Sequence, residues 1–510
     1  MAQARGGRPP ARSTIFRMKT AARSELRPLK LDRASDKPLN RQIHGEIAAA
    51  VLAGKLKPGS RLPSTRMLSN ELGVSRNTVN AAYEQLAAEG YIESAVGAGT
   101  RIASLLPADL LGQSRSQRPG KVRAPRLSRR GAAMARATVP FDVVERRAPG
   151  IGEPAIELFP FRIWKHLMAR QFDSLAKSEL GYANPAGFLP LREQIATYLE
   201  STRGIRVSSR RILVVAGTQQ ALDLVARLLL DAGDRVLVED PGYPGARAAL
   251  LAACAELVPV SVDAEGMDVG SLRHPHRKAR AAYVTPAHHF PLGATMTLGR
   301  RLALLEWAEG SNAFILEDDY DGEFRYAGSP LSAIASIDTG GRVIYIGSFS
   351  KLLYPSLRLG FMVLPEELLP RIVSVRGFTD RHSPVVEQAT LAAFMGEGHF
   401  ARHVRQMRAI YEQRRSALIE ALSRHAGDLV DVVAPETGMH LLVGLRGLND
   451  KRAAEAIGPQ KLAIVPISNY YHRSRRCDVL LLGFAQCTPD DVDRSVRNLA
   501  KAVRTLKKRH

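Results

Sequence analysis

Cysteine is scarce: Cys254, Cys477 and Cys487 are the only three in 510 residues. They are odd in number, scattered, and never spaced as CxxC. This argues against a disulfide framework and a cysteine-built zinc site, and for a reducing cytosol. Long apolar runs are missing too. No stretch approaches the ~18 residues that a membrane-spanning helix needs, so no membrane contact is expected. The N-terminus is basic but has no apolar core leading to a cleavage site, so it does not read as a secretory signal. A cytoplasmic protein is the expectation.

Acid is scarce in the first 140 residues of the chain. The net charge is +22 and the pI is near 10.2. Residues 1–140 hold 25 Lys and Arg against 9 Asp and Glu, a net of +16, and the remaining 370 residues carry only +6. Between Asp109 and Asp142 there is no acid, while Arg115, Arg118, Lys121, Arg123, Arg126, Arg129, Arg130 and Arg136 fall there. A polyanionic partner accounts for this pattern, and a merely solvated basic surface is the plainer alternative.

The length predicts two to four domains at roughly 100–200 residues each. Residues 1–36 read as a flexible basic arm. Residues 37–104 are periodic. Residues 105–140 form an Arg/Pro/Ser-rich linker whose like charges keep it extended. Residues 141–510 form one long α/β pattern, with a small α+β subdomain from about 366. Short apolar runs at 212–217, 235–240, 281–286, 313–319, 342–347 and 359–365 read as buried strands. Helical stretches such as 218–230 and 298–310 lie between them. The alternation predicts a mainly parallel sheet with helices on both faces. A long helix at 399–422 and strands at 438–445 and 479–485 follow.

In the N-terminal module Ile43, Ile47, Ala50 and Val51 make an apolar helical stripe. Ser64 suits the N-cap of a helix ending at Leu72, Gly73 allows a tight turn, and Ser75 caps a third helix. Val79, Ala82, Tyr83 and Leu86 face one side of that helix; Arg76, Asn77 and Asn80 face the other. Polar groups on the outer first turn of a second helix suit base reading by a helix-turn-helix. A hairpin at 91–102, with Gly97 and Gly99 at its tip, would be the wing. The run at 53–102, including LPSTR, GVSRNTV and GAGTRI, resembles the winged helix-turn-helix of GntR-type transcription regulators. The resemblance implies that Ser64 and Arg66 touch phosphates of double-stranded DNA. It places Ser75, Arg76, Asn77 and Thr78 at the major groove and Gly97 at the minor groove. Ser75 and Thr78 have a plainer reading as helix-start residues, and a winged helix can also serve protein contacts.

Four stretches of the large module carry chemistry. AGTQQAL (216–222) leaves a strand for a helix, where backbone N–H groups suit a phosphate. EDPGYPG (239–245) puts Tyr243 at a strand end. ILEDDYDGEFRY (315–326) puts Asp318 and Tyr320 at another, and YIGSFSKLLYPSLRLGF (345–361) supplies Ser348, Ser350, Lys351 and Arg358. Ligands of open α/β sheets bind outside the carboxyl ends of strands. A lysine to condense with an aldehyde, a carboxylate for a ring nitrogen, a phenol, and a phosphate cluster together suit pyridoxal 5′-phosphate.

These motifs resemble the fold-type I aminotransferases over about residues 155–505. The resemblance implies that Lys351 is the Schiff-base lysine, Asp318 the pyridine-nitrogen partner and Tyr320 the ring-oxygen partner. Tyr243 would lie on the ring face, and Thr218, Gln219, Ser348, Ser350 and Arg358 would hold the phosphate. Tyr182 of GYANPAGFLPLR would reach the phosphate of a neighbouring subunit. His288 of TPAHHFPLG lies in the family's cofactor-contacting loop. His288 and His289 are adjacent, but the spacing offers no third ligand, so no metal is expected. One departure stands out: the small-domain strand that usually carries a carboxylate-binding arginine reads VLLLGFA (479–485). Arg473, Arg475 and Arg476 just upstream could substitute, or be solvated loop charges.

A GntR-like reader, a linker and an aminotransferase-like module in one chain resemble the MocR subfamily. That implies a homodimer, head-to-tail, whose large module senses the cofactor or a small amino-compound effector and so controls promoter binding. The alternative is a working aminotransferase with an appended DNA-binding module. A constitutive DNA-binding protein with a vestigial large module is a third reading.

Overall fold

A computed structural model describes residues 29, 31–95, 99–104, 127–128, 130–132, 150–272, 278–328, 331–473 and 475–508. The proposed arm up to residue 28, most of the linker, and Gly97 lie outside the described residues. The chain divides into two units, residues 1–126 and 127–510. No described helix is long and apolar enough to cross a membrane.

In the first unit, helix α1 (Leu39–Leu52) buries Ile43, Ile47, Ala48 and Val51; Ala50 is only partly covered. Helix α2 (Thr65–Leu72) is capped by Ser64, whose Oγ accepts from Met67 N at 3.2 Å. Gly73 ends it at φ +61, a conformation that glycine adopts at little cost. Helix α3 (Arg76–Ala88) starts at Ser75, whose Oγ accepts from Thr78 N at 3.1 Å. Strands β1 (Ile92–Ala95) and β2 (Gly99–Ile102) pair antiparallel, with Ile92 opposite Ile102. Leu68, Val79, Tyr83, Leu86 and Ile102 close one core with the α1 residues. The Tyr83 hydroxyl donates to Pro63 O at 3.0 Å and ties α3 to the loop before α2.

The second unit opens with α4 (Phe161–Ser174) and α5 (Leu189–Arg203). Strand β3 (Ile212–Val215), α6 (Thr218–Leu229), β4 (Arg235–Asp240), α7 (Pro244–Ala252), β5 (Glu256–Asp263) and β6 (Gly266–Met267) follow. Then come β7 (Ala281–Val284), α8 (Leu298–Ser311), β8 (Phe314–Asp319), β9 (Val343–Ser348) and β10 (Gly360–Val363). The sheet order is β3-β10-β9-β8-β7-β4-β5-β6. Strand β10 runs antiparallel to both neighbours and β6 turns back on β5, while the pairs from β9 across to β5 are parallel. Strands β3, β7, β9 and β10 are buried along their whole length, as continuous apolar runs require.

Helices cover both faces. Leu222, Val225 and Leu250 of α6 and α7 pack with Leu213, Ile344 and Met362 on one side. Leu304 and Leu305 of α8 pack with Leu237, Ala282 and Ile315 on the other. Helices α9 (Leu369–Thr379), α10 (Val385–Gly396) and α11 (His399–Ala426) come next. The subdomain differs from the expected start at 366, because Ile372 of α9 belongs to the same core as Leu213 and Ile344. A second sheet is built from β11 (Asp431–Val433), β12 (His440–Gly444), β13 (Ala463–Pro466) and β14 (Val479–Gly483). Its order is β11-β12-β14-β13, all antiparallel. Helices α12 (Asp450–Ile457) and α13 (Pro489–Lys507) flank it.

Candidate cofactor cavity and nucleic-acid interface

On the first unit, Ser64, Arg66, Ser75, Arg76 and Asn77 are exposed and Thr78 is half-buried. Arg76 Nε lies 3.4 Å from Thr65 Oγ1, so the two helix starts adjoin. Ser64 and Ser75 each accept from a backbone N–H, the capping role weighed for them. The Ser64 hydroxyl hydrogen is not used by that bond and can still meet a phosphate. The Ser75 and Thr78 hydroxyls lie 2.8 Å apart and use each other. Arg66, Arg76 and Asn77 therefore hold the freest polar groups on this face.

In the second unit a cavity of about 500 Å³ opens at the carboxyl ends of the central strands. Nine of the anticipated residues line it: Thr218, Gln219, Tyr243, Asp318, Tyr320, Ser348, Ser350, Lys351 and Arg358. They come from four separate stretches, gathered because β3, β4, β8 and β9 end at one edge. Gly217 (φ +99) starts α6 there, and the first N–H groups of that helix have no intrahelical acceptor. Arg358, itself at φ +51, donates to Ala216 O and lies 3.4 Å from where a Gly217 Cβ would stand. Any side chain at 217 would crowd the guanidinium. Gly152 (φ +68) likewise leaves room for Lys351, whose Nζ lies 3.5 Å from a Cβ built there.

Asp318 is buried at the end of β8. Tyr283 Oη donates to its Oδ2 at 2.7 Å, and Thr218 Oγ1 lies 3.5 Å from Oδ1. Burial pushes its pKa up to about 7, with Tyr283 pulling the other way. The carboxyl is thus held in a place that favours a facing cation. Gln219 Nε2 donates to Tyr243 Oη at 3.3 Å, which fixes the phenol in the cavity wall.

Two expected residues are absent from the wall. Tyr182 is 83% exposed, with the Arg381 guanidinium 4.4 Å above its ring. His288 stands behind Tyr320: its Nδ1 is 3.0 Å from Tyr320 Oη and 2.9 Å from Asp321 Oδ1. A bare Nδ1 lone pair would face a buried carboxylate, so Nδ1 carries the proton and donates to Asp321. Tyr320 then shares that N–H as an acceptor and keeps its own hydrogen for the cavity. His288 positions the phenol and does not line the cavity. Sequence reasoning missed Tyr283, Phe290 and His440, which do line it. Tyr283 and His440 sit within apolar strand runs, where a core role was the natural reading.

Residues 155–499 match the family Aminotransferase class I and II, and residues 39–102 match the bacterial regulatory proteins of the gntR family. The chain is 39% identical to the probable rhizopine catabolism regulatory protein MocR of Rhizobium meliloti, over 94% of this chain and 96% of that protein. The chain belongs to the MocR subfamily of GntR-type regulators. It is also 30% identical to the pyridoxine biosynthesis transcriptional regulator PdxR of Corynebacterium glutamicum, covering 93% of this chain and 98% of that one. Among solved structures it resembles the Pyrococcus horikoshii kynurenine aminotransferase complexed with PMP. The TM-score is 0.65 at 31% identity, over 70% of this chain and 91% of that one.

This MocR-type chain keeps Tyr320 in place with little slack. A Cβ on Gly438 (φ +82) would fall 1.9 Å from His288 Cε1. Gly438→Ala is expected to cost about 1–3 kcal/mol through overpacking and backbone strain. Urea unfolding of the full chain measures it, and an unchanged midpoint would mean that His288 is free to move aside.

Proposed function

We propose that the protein is a transcription regulator that holds pyridoxal 5′-phosphate in the cavity around Lys351 and couples occupancy of that cavity to promoter binding. The observation that carries this reading is the convergence of nine side chains of the right chemistry on one cavity. The bound cofactor supplies an aldehyde electrophile and a cationic ring that withdraws electrons. Lys351 supplies the amine. Asp318 would face the ring nitrogen, whose positive charge would favour the carboxylate form. Tyr320 would donate to the ring oxygen, and Tyr243 would lie against the ring. Arg358, Ser348, Ser350, Thr218, Gln219 and the start of α6 neutralise the phosphate. In a head-to-tail homodimer, exposed Tyr182 of each subunit would reach toward the cofactor phosphate of the other. The setting is the cytoplasm, where the reader meets DNA.

Control of DNA binding requires that a ligand bind two arrangements of the protein with different free energy. Movement of the small subdomain over the cavity, relayed by the linker, is the proposed difference. The test is anisotropy of a labelled promoter fragment, with and without cofactor, beside Arg76→Ala. Cofactor should shift affinity or stoichiometry, and identical curves would defeat the coupling. Arg76→Ala should weaken specific binding by about 1–3 kcal/mol if it reads a base edge. If the loss is equal on every sequence, Arg76 touches only phosphate. The arginine-rich linker predicts affinity that falls steeply with salt.

A further inference from the structure

The cavity has two unlike sides. Arg358 and the start of α6 stand on one. On the other, Ile151, Phe290, Val465 and Tyr470 form an apolar cluster with Leu442 and Leu481 of the small sheet. Leu481 is fully buried in the middle of β14, opposite Val465 in the strand register. Of the polar groups on this side Glu153 and His440 offer acceptors, while Asn469 and the Tyr470 hydroxyl offer neutral donors and no positive charge. Glu153 brings a carboxylate to the wall and accepts from Gln486 Nε2 at 3.4 Å. His440 is pushed down to a pKa of about 3 by burial, with His288 adding to it, so its ring is neutral. Its Nε2 lies 3.0 Å from Pro291 O and must carry the proton to serve that carbonyl, which leaves Nδ1 an acceptor. Arg473, Arg475 and Arg476 are exposed and do not line the cavity, and Arg475 instead lies 4.7 Å over the Tyr471 ring. Among the described residues Arg358 is the cavity's only guanidinium, and it sits on the phosphate side.

A ligand carboxylate placed against this second side would face hydrocarbon, a neutral imidazole lone pair, another carboxylate and, at Asn469 and Tyr470, neutral donors alone. With no cation among them its desolvation is repaid only in part. An ammonium with a hydroxyl or apolar body meets acceptors and a matching surface instead. We infer that the effector of this protein is an amine without a carboxylate, received between Glu153, His440 and the apolar wall, and not an α-amino acid. This rests on the cofactor-binding reading and names the ligand class for the same site.

The experiment titrates the cofactor-loaded full chain with matched pairs that differ by one carboxylate: ethanolamine and serine, putrescine and ornithine, tyramine and tyrosine. Calorimetry and the cofactor's visible spectrum are both followed. At least one amine should bind about tenfold or more tightly than its carboxylated partner, because a buried carboxylate without a cation loses hydration that is returned only in part. Val465→Arg, which brings a guanidinium to a half-buried wall position, should shift the ratio toward the amino acid by a similar factor. Glu153→Gln should weaken the amine and leave the amino acid no worse. Equal binding within every pair, preference for the amino acids, or no binding of either kind overturns the inference. In those cases a normal cofactor band leaves the proposed function standing. Absence of that band from the wild-type protein defeats the proposed function itself.

Discussion

Lys351→Ala is expected to remove the visible absorption of the cofactor-loaded protein and to let the cofactor escape on dialysis. Lys351 follows β9 by three residues and points at the space that Gly152 leaves open. Arg358, Ser348 and the start of α6 remain in the variant, so a phosphate can still dock. The variant should therefore bind the cofactor weakly and without the spectral change that a bond to lysine produces. Lys351→Arg keeps a positive charge but holds its proton at any working pH, so it should lose the band as completely. A band that survives in either variant assigns the attachment to another amine. The reader, residues 37–104, has its own core around Ile43, Val79 and Leu86, so its folding should be indifferent to the change. Promoter binding without cofactor should match the wild type, while any response to added cofactor disappears. That split separates loss of sensing from loss of DNA binding.

The parts of this molecule that were legible in the sequence are those where one physical demand fixes composition. Strands buried on both faces must be apolar throughout, so β3, β7 and β9 read directly as ILVV, AAYV and VIYIG runs. Ser64, Gly73 and Ser75 announced their helix boundaries because caps and left-handed turns accept few residue types. Strand β5 escaped notice for the opposite reason. It buries Val260 while Glu256, Pro259, Ser261 and Asp263 reach partial or full exposure, and it holds a proline. Strand β11 is exposed along its length and carries too little signal. At the cavity, residues that follow strand ends were found because their chemistry is unusual there. His288 was placed in the right loop and one layer too far forward, since a sequence does not show which side of Tyr320 a neighbour takes. Arg203, Asp319 and Glu323 drew no notice in the sequence, because a fully buried arginine is too rare to expect there.

That buried group makes the second large prediction. Arg203, the last residue of α5, is 2% exposed. Its Nε donates to Asp319 Oδ2, and its Nη2 lies 2.7 Å from Glu323 Oε1. Tyr345 Oη donates to Asp319 Oδ2 at 2.9 Å, Tyr198 Oη donates to Glu323, and Arg408 Nε donates to Glu323 O at 2.8 Å. Burial alone would raise the Asp319 pKa, but the Arg203 charge and the bonds from Arg203 and Tyr345 hold it below the usual carboxylate range. Successive residues of a strand face opposite ways, so Asp319 anchors β8 from behind while Asp318 meets the cavity. Arg203→Met leaves Asp319 in dry protein without its cation and takes a guanidinium from beside Glu323, whose pKa burial already raises to about 7 in the wild type. The large module should lose about 3–5 kcal/mol at neutral pH, and cofactor affinity should fall with it. Replacing Asp319 with Asn and Glu323 with Gln in the same chain should recover much of the stability, since the uncompensated charges are then gone. The deficit should also depend on pH. In the variant the folded-state pKa of Asp319 rises above its unfolded value of about 4, as that of Glu323 already does in the wild type, so stability is lost as pH climbs through that window. In the wild type Asp319 titrates the other way, and its contribution is lost as pH falls. The two curves should therefore converge on acidification. A constant gap across pH 4 to 7 in urea midpoints would show that Arg203 acts through packing and not through its charge.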